Sequence, residues 1–228
     1  MSSMEKEVWL KISGVSGILT PILAFTRISL AIASYPQFSW TDNALSDLGV
    51  VGDVTSVLFN GGLIISGILT LLFALGLFMF LRNKMLGRIG AFLLVLDALS
   101  LSAIGVFPEN VKPTHYYASV AFFMFFPLAM FFIATALFQM GKLKMGLFTF
   151  LAAIFAVVVW VIQFTIKFGR GVAIPETLTS LSASAWVMFL GYKMLKQASH
   201  PTISTTDIQL YEKISNYLVV SSKPLMSA

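Results

Sequence analysis

The chain has 228 residues, of which 57% are hydrophobic and only 11% charged, against about 45–50% and about 25% in soluble proteins. No water-soluble fold of this length hides that much apolar surface, and 14% aromatic residues exclude a disordered chain. The absence of cysteine removes disulfides, thiolate metal sites, iron–sulfur clusters and cysteine nucleophiles together.

A membrane-spanning helix needs about 20 mainly apolar residues. Segments 9–33, 55–81, 89–107, 116–140, 145–167 and 177–193 meet or approach that length. The predicted fold class is therefore all-α: an integral membrane bundle of six transmembrane helices. Residues 1–196 form the membrane domain, and residues 197–228 form a tail too short for a domain that folds alone. Any site must be built from the helices and their short loops.

Orientation follows from the positive residues. With the N-terminus inside, the cytoplasmic segments hold Lys6, Lys11, Arg82, Lys84, Arg88, Lys142, Lys144, Lys193, Lys196, Lys213 and Lys223. The outer side holds only Lys112, Lys167 and Arg170, while Arg27 sits within the first helix. Both termini are thus expected to be cytoplasmic, in a multi-pass protein of the cell membrane. The net charge of +5 reads as a topology signal, so membrane lipids are the expected partners and nucleic acid is not. A signal-peptide reading competes for the first segment, since Ala31-Ile32-Ala33 resembles a cleavage site. Arg27 inside the cleavage region and Glu5 and Glu7 ahead of the apolar run favour an uncleaved helix.

Within the bundle, Gly62 and Ser66, and Ser180 and Ser184, have the four-residue spacing of small side chains that lets helix backbones approach. The fourth helix carries Phe122, Phe123, Phe125, Phe126, Phe131, Phe132 and Phe138 around Pro127, which should kink it. In the tail, Thr206-Asp207-Ile208-Gln209 has the form of a capping box. It opens an expected amphipathic surface helix over 207–220.

The outer loop Ser39-Trp40-Thr41-Asp42-Asn43-Ala44-Leu45-Ser46-Asp47-Leu48-Gly49 is richer in polar groups than a connector needs. Thr41 or Asp42 is expected to cap a short helix that Gly49 ends, placing Asn43, Ser46 and Asp47 on one face. Trp40 suits the membrane interface. The third-to-fourth loop adds Glu109 and His115, and the last outer loop adds Lys167, Arg170 and Glu176. Asp47, Glu109 and His115 are the candidate acid–base groups. Arg27, Trp40, Asn43, Ser46 and Arg170 are the candidate ligand-binding groups. The same three acid–base residues could offer oxygen and nitrogen ligands to zinc or manganese, but no clustered-histidine motif backs a metal, and no cofactor is indicated. Ser46 as a nucleophile lacks a GxSxG elbow.

Trp40-Thr41-Asp42-Asn43-Ala44-Leu45-Ser46-Asp47-Leu48-Gly49, Phe59-Asn60-Gly61-Gly62, and Ile104-Gly105-Val106-Phe107-Pro108-Glu109 with the following His115 resemble the domain-of-unknown-function 998 family. The resemblance covers roughly residues 10–195. It implies a polytopic six-helix membrane protein, of a kind found in archaea and bacteria, and carries no established activity.

Two charges lie at membrane depth, where each needs a partner or water. Arg27 is expected to reach Asp47 or a lipid phosphate. Asp97 is expected to sit too far below Arg27 to pair with it and to hydrogen-bond Ser100 or backbone, or to be protonated. Together these residues predict an outward-facing polar pocket under the 40–49 helix that binds or processes a lipid or other amphiphile. A lipid-binding scaffold or sensor without catalysis, and a small-solute transporter, are the alternatives.

Overall fold

The structure, a computed structural model, describes residues 3–199 together with residues 213 and 215. Six α-helices follow one another: α1 (Ser3–Ala33), α2 (Asp53–Phe80), α3 (Met85–Val106), α4 (Thr114–Gln139), α5 (Leu143–Thr165) and α6 (Ala173–Ser199). A short 3-10 helix, Leu45–Gly49, interrupts the connection between α1 and α2. Among the described residues there is no strand. The tail helix expected over 207–220 lies outside the described residues, apart from Lys213 and Ser215, which are helical.

Five helices, α1 to α5, are long and apolar enough to cross a membrane. The sixth is long enough at 27 residues but is diluted by Thr177, Thr179, Ser180, Ser182 and Ser184. Every helix starts ahead of the apolar run that announced it. Hydropathy marks only the part at lipid depth, whereas the helical hydrogen-bond ladder extends into the polar first turn.

Short connections make chain neighbours into packing neighbours: α1 lies against α2, α2 against α3, α3 against α4 and α4 against α5. The ring closes through α6. A Cβ on Gly191 would stand 2.9 Å from the Gly14 carbonyl oxygen and 3.4 Å from the Gly17 Cα, so α1 and α6 meet backbone to backbone. On its other flank α6 meets α5, where the Trp186 indole donates to Thr149 Oγ1 at 2.9 Å. Trp186 is fully buried, edge-on to Phe73 and Phe126.

The buried side chains form two apolar clusters. The larger joins Leu10, Phe73, Leu77, Leu94, Phe126, Met130, Ile133, Leu137, Trp186, Leu190 and Met194. The smaller joins Ile28, Ala31, Leu45, Leu48, Phe59, Leu63, Ile104 and Ala173 at the end of the bundle carrying connections 34–52, 107–113 and 166–172, hereafter the loop end.

Two expectations are corrected. Gly62 makes room for the Arg27 stem, whose Cβ would be 2.7 Å from an added methyl, instead of admitting a second backbone. Ser180 and Ser184 line a cavity and not a helix seam. The phenylalanine row of α4 serves both packing and the outer surface, with Phe126 buried and Phe138 exposed, and Pro127 lies inside the helix.

The close approach of α2 to α3 rests on Gly67, where an added Cβ would meet Ser102 Oγ and stand 2.8 Å from the Ala98 carbonyl oxygen. Gly61, on the same helix, has open space. Gly67→Ala should therefore cost about 1–3 kcal/mol, while Gly61→Ala is neutral or slightly stabilising, since alanine favours the helix. Thermal unfolding of both variants in detergent checks the contrast; equal shifts would contradict this packing.

Candidate functional site

The loop between α1 and α2 is tied down at almost every residue. Leu45 and Leu48 insert into the smaller apolar cluster and orient the 3-10 helix. Its free N-terminal groups are then satisfied in an unexpected way. Thr41 and Asp42 do not cap it; the residue before it is Ala44, and Asp47 reaches back instead. The Asp47 carboxylate accepts the Ala44 N–H at 3.1 Å and the Asn43 amide at 2.7 Å. The Leu45 N–H donates to Glu176 at 2.7 Å. At the other end, Ser56 donates to the Leu48 carbonyl at 3.2 Å and Asn60 to the Gly49 carbonyl at 2.9 Å.

The same loop caps α6 in return. The Asn43 carbonyl accepts the N–H groups of Val172 and Ala173 at 3.1 and 2.9 Å, and the Thr41 carbonyl accepts that of Gly171 at 2.8 Å. Any side chain at 169 or 171 would collide with the backbone of Thr41 or Asn43, which is why both positions are glycine. Outside this clamp Arg170 pairs with Asp42 at 2.6 Å across a solvent-exposed surface. The Ser39 hydroxyl, with Arg170 and Thr41, holds the Asp42 carboxyl below its ordinary value. Trp40 is exposed, its ring edge-on to Phe38.

Three carboxylates converge beneath. Ser46 Oγ donates to Glu109 at 3.3 Å. Burial, and then the neighbouring Asp47, raise the Glu109 pKa, with His115 and Ser46 opposing. Glu176, in the first turn of α6 and ahead of its apolar run, is pushed up to about 8. Burial is the main cause; the Leu45 N–H opposes it, and the charges of Asp47 and Glu109 add to it. The part of Glu176 that is not enclosed faces a cavity.

His115 is buried at the start of α4. Its Nδ1 lies 2.8 Å from the Phe107 carbonyl, which can only accept. Nδ1 therefore carries a proton and donates to that carbonyl, while Nε2 lies 3.4 Å from Ser119 Oγ. Among the described residues no three of His, Asp and Glu are placed to hold a metal ion, so the metal version of the Asp47, Glu109 and His115 cluster has no geometric support.

The cavity, of about 110 Å³, lies where the two apolar clusters meet. Leu45, Ser46 and Glu176 roof it; Phe25, Phe59, Phe122, Phe123 and Phe126 supply aromatic walls; Asp97, Ser66 and Thr70 lie deeper. Asp97 is 2% exposed and, among the described residues, its Oδ1 has no hydrogen-bond partner. The expected bond from Ser100 is absent, because that hydroxyl donates to the Leu96 carbonyl of its own helix at 2.8 Å.

A family model described as a protein of unknown function, DUF998, matches residues 18–193. The chain belongs to the DUF998 family. No curated protein and no solved structure matches it. The match runs from within α1 to within α6, so the matched residues include those of the clamp, the carboxylates and most of the cavity lining of this DUF998 chain.

The fold brings Asn43, Ser46, Asp47, Glu109 and His115 to the loop end together. Arg27 is not with them: among the described residues it makes no ion pair, and the expected pairing with Asp47 is replaced by the Asn43 amide. Arg170 and Trp40 lie on the outer surface of the clamp. Sequence reasoning treated Glu176 as one more loop charge. Its signal was an acid in the first turn of a helix, next to Pro175, where a carboxylate can cap a neighbouring segment as readily as its own.

Because the folded-state pKa of Glu176 is raised, the folded protein holds that proton more tightly than the unfolded chain does. The stability it contributes is full below about pH 4.5 and is lost as pH rises towards about 8. Thermal unfolding in detergent should show this decline, and Glu176→Gln should flatten much of it while keeping an acceptor for Leu45. An unchanged slope in the variant would show that Glu176 is not the group responsible.

Proposed function

We propose that this DUF998 protein is a six-span membrane protein whose loop end faces outward and whose cavity binds an amphiphile. Two observations support the sixth crossing. At about 1.5 Å per residue, the 27 residues of α6 exceed a hydrocarbon core of about 30 Å. An even number of spans also puts both termini on the lysine-rich side, as the charge distribution asks.

The observation that carries the binding reading is the cavity beneath the 43–49 clamp. Phenylalanine walls suit an apolar body, and a few convergent polar groups fix its orientation. The polar residues of the 43–49 run are not the ligand-binding groups in this reading. Asn43, Asp47 and Ser46 are engaged with the chain itself, and what they hold is the roof.

A transport reading has less behind it. Three of the buried hydroxyls around and beyond Asp97 are closed on their surroundings: Thr70 donates to the Ser66 carbonyl, Thr20 to that of Ser16 and Ser13 to that of Leu72. They offer no onward ladder.

Native mass spectrometry of gently extracted protein tests the binding reading. The expected result is a retained small amphiphile that is lost when Ser184→Phe and Ser180→Leu fill the cavity. Protein that carries no adduct, or an adduct unaffected by filling, would contradict it.

A further inference from the structure

We propose that the deep part of this cavity is a recognition site for a protonated amine, with Asp97 as its counter-charge and Ser66 as a second hydrogen-bond partner. This deepens the amphiphile-binding reading and rests on it.

The helix contact that closes α2 on α3 also sets the site. Antiparallel α2 and α3 touch where Gly67 lies against Ala98 and Ser102, and Ser66 and Asp97 flank that contact on the two facing helices. Both line the cavity. Among the described residues each carries a buried oxygen without a hydrogen-bond partner, Asp97 Oδ1 and Ser66 Oγ, at 2% and 0% exposure. Buried polar groups are satisfied in the great majority of proteins. Two unsatisfied oxygens on one cavity therefore mark a place where a donor belongs.

The charge of that donor follows from the surroundings. Among the described residues no lysine, arginine or histidine lines the cavity, and the two titratable residues that do, Asp97 and Glu176, are both acidic. The rings of Phe122, Phe123 and Phe126 line the same space, and aromatic faces attract a cation as well as an apolar chain. An anionic headgroup would meet two acidic side chains and, among the described residues, no basic group to hold it. An ammonium has three donors, enough to reach a carboxylate oxygen and a hydroxyl together, and its carbon body fits the aromatic walls. A bare metal ion would need more oxygen ligands than these. At about 110 Å³ the space is somewhat smaller than a cavity of about 150 Å³ that admits benzene. It accepts the amine and a few carbons, and a longer chain must lead out towards lipid.

The test is binding of four probes to the full-length protein in nanodiscs, followed by calorimetry and thermal shift: n-butylamine, n-butanol, butyrate and n-dodecylamine. The amines should bind and raise the unfolding temperature, with butanol more than about tenfold weaker, as loss of a charge-assisted hydrogen bond implies. Asp97→Asn should abolish the preference for amine over alcohol. Ser66→Ala, which removes a single hydroxyl, should weaken amine binding several-fold with the fold intact, so a misfolded Asp97 variant would not leave the question open. Much tighter dodecylamine than butylamine supports a membrane-borne amine as the source; equal affinities support a free one. Butanol or butyrate binding as well as butylamine would overturn the amine assignment and leave the cavity reading standing. Failure of all four probes would overturn both.

Discussion

The arrangement depends on one reciprocal contact. The loop after α1 gives its Asn43 carbonyl to the first free N–H groups of α6, and α6 gives its Glu176 carboxylate to the first free N–H of the 3-10 helix in that loop. Each helix start supplies what the other lacks. The contact spans 131 positions of sequence, joining the first connection to the last, so it closes the ring of helices at the loop end. Gly14, Gly17 and Gly191 close it along the helix walls. With the ring closed from both, the two apolar clusters meet imperfectly and a cavity is left between them.

Charge placement follows from that closure. Asp47, Glu109 and Glu176 are drawn together because each holds part of the clamp: one caps the 3-10 helix, one takes Ser46, one takes Leu45. Their crowding is a cost carried by the fold, visible in the raised Glu109 and Glu176 pKa values. Asp97 differs in kind. Among the described residues its Oδ1 has no hydrogen-bond partner, and a buried acid without a structural task is a better indicator of a ligand than a crowded one that has such a task.

The helices were legible from hydropathy because about 20 apolar residues in a row have few other uses. The proposed orientation rests on lysine and arginine at alternate connections alone. The convergence of Ser46 and Asp47 with Glu109 and His115 was also legible, since alternating helices must bring the first, third and fifth connections to one end. Three things were not. The 3-10 helix begins at Leu45 and not at a Thr41 or Asp42 cap, because the long-range Glu176 bond replaces a local one. Arg27 was paired with Asp47 on depth alone, which fixes level but not direction around the helix axis; Gly62 receives its stem instead. The small-residue spacing of Ser180 and Ser184 looked like a packing seam, since periodicity cannot distinguish a face turned to a neighbouring backbone from one turned to a void.

The reciprocal clamp is tested most directly by hydrogen exchange followed by mass spectrometry on the protein in nanodiscs. Amides bonded only in ordinary surface loops open readily, whereas those locked in one cooperative unit open together. Docking predicts that peptides covering 41–49 and 169–176 are both protected and share one opening rate, accelerated jointly by Glu176→Ala. Exchange of 41–49 at the rate of a free loop, with 169–176 protected independently, would contradict it.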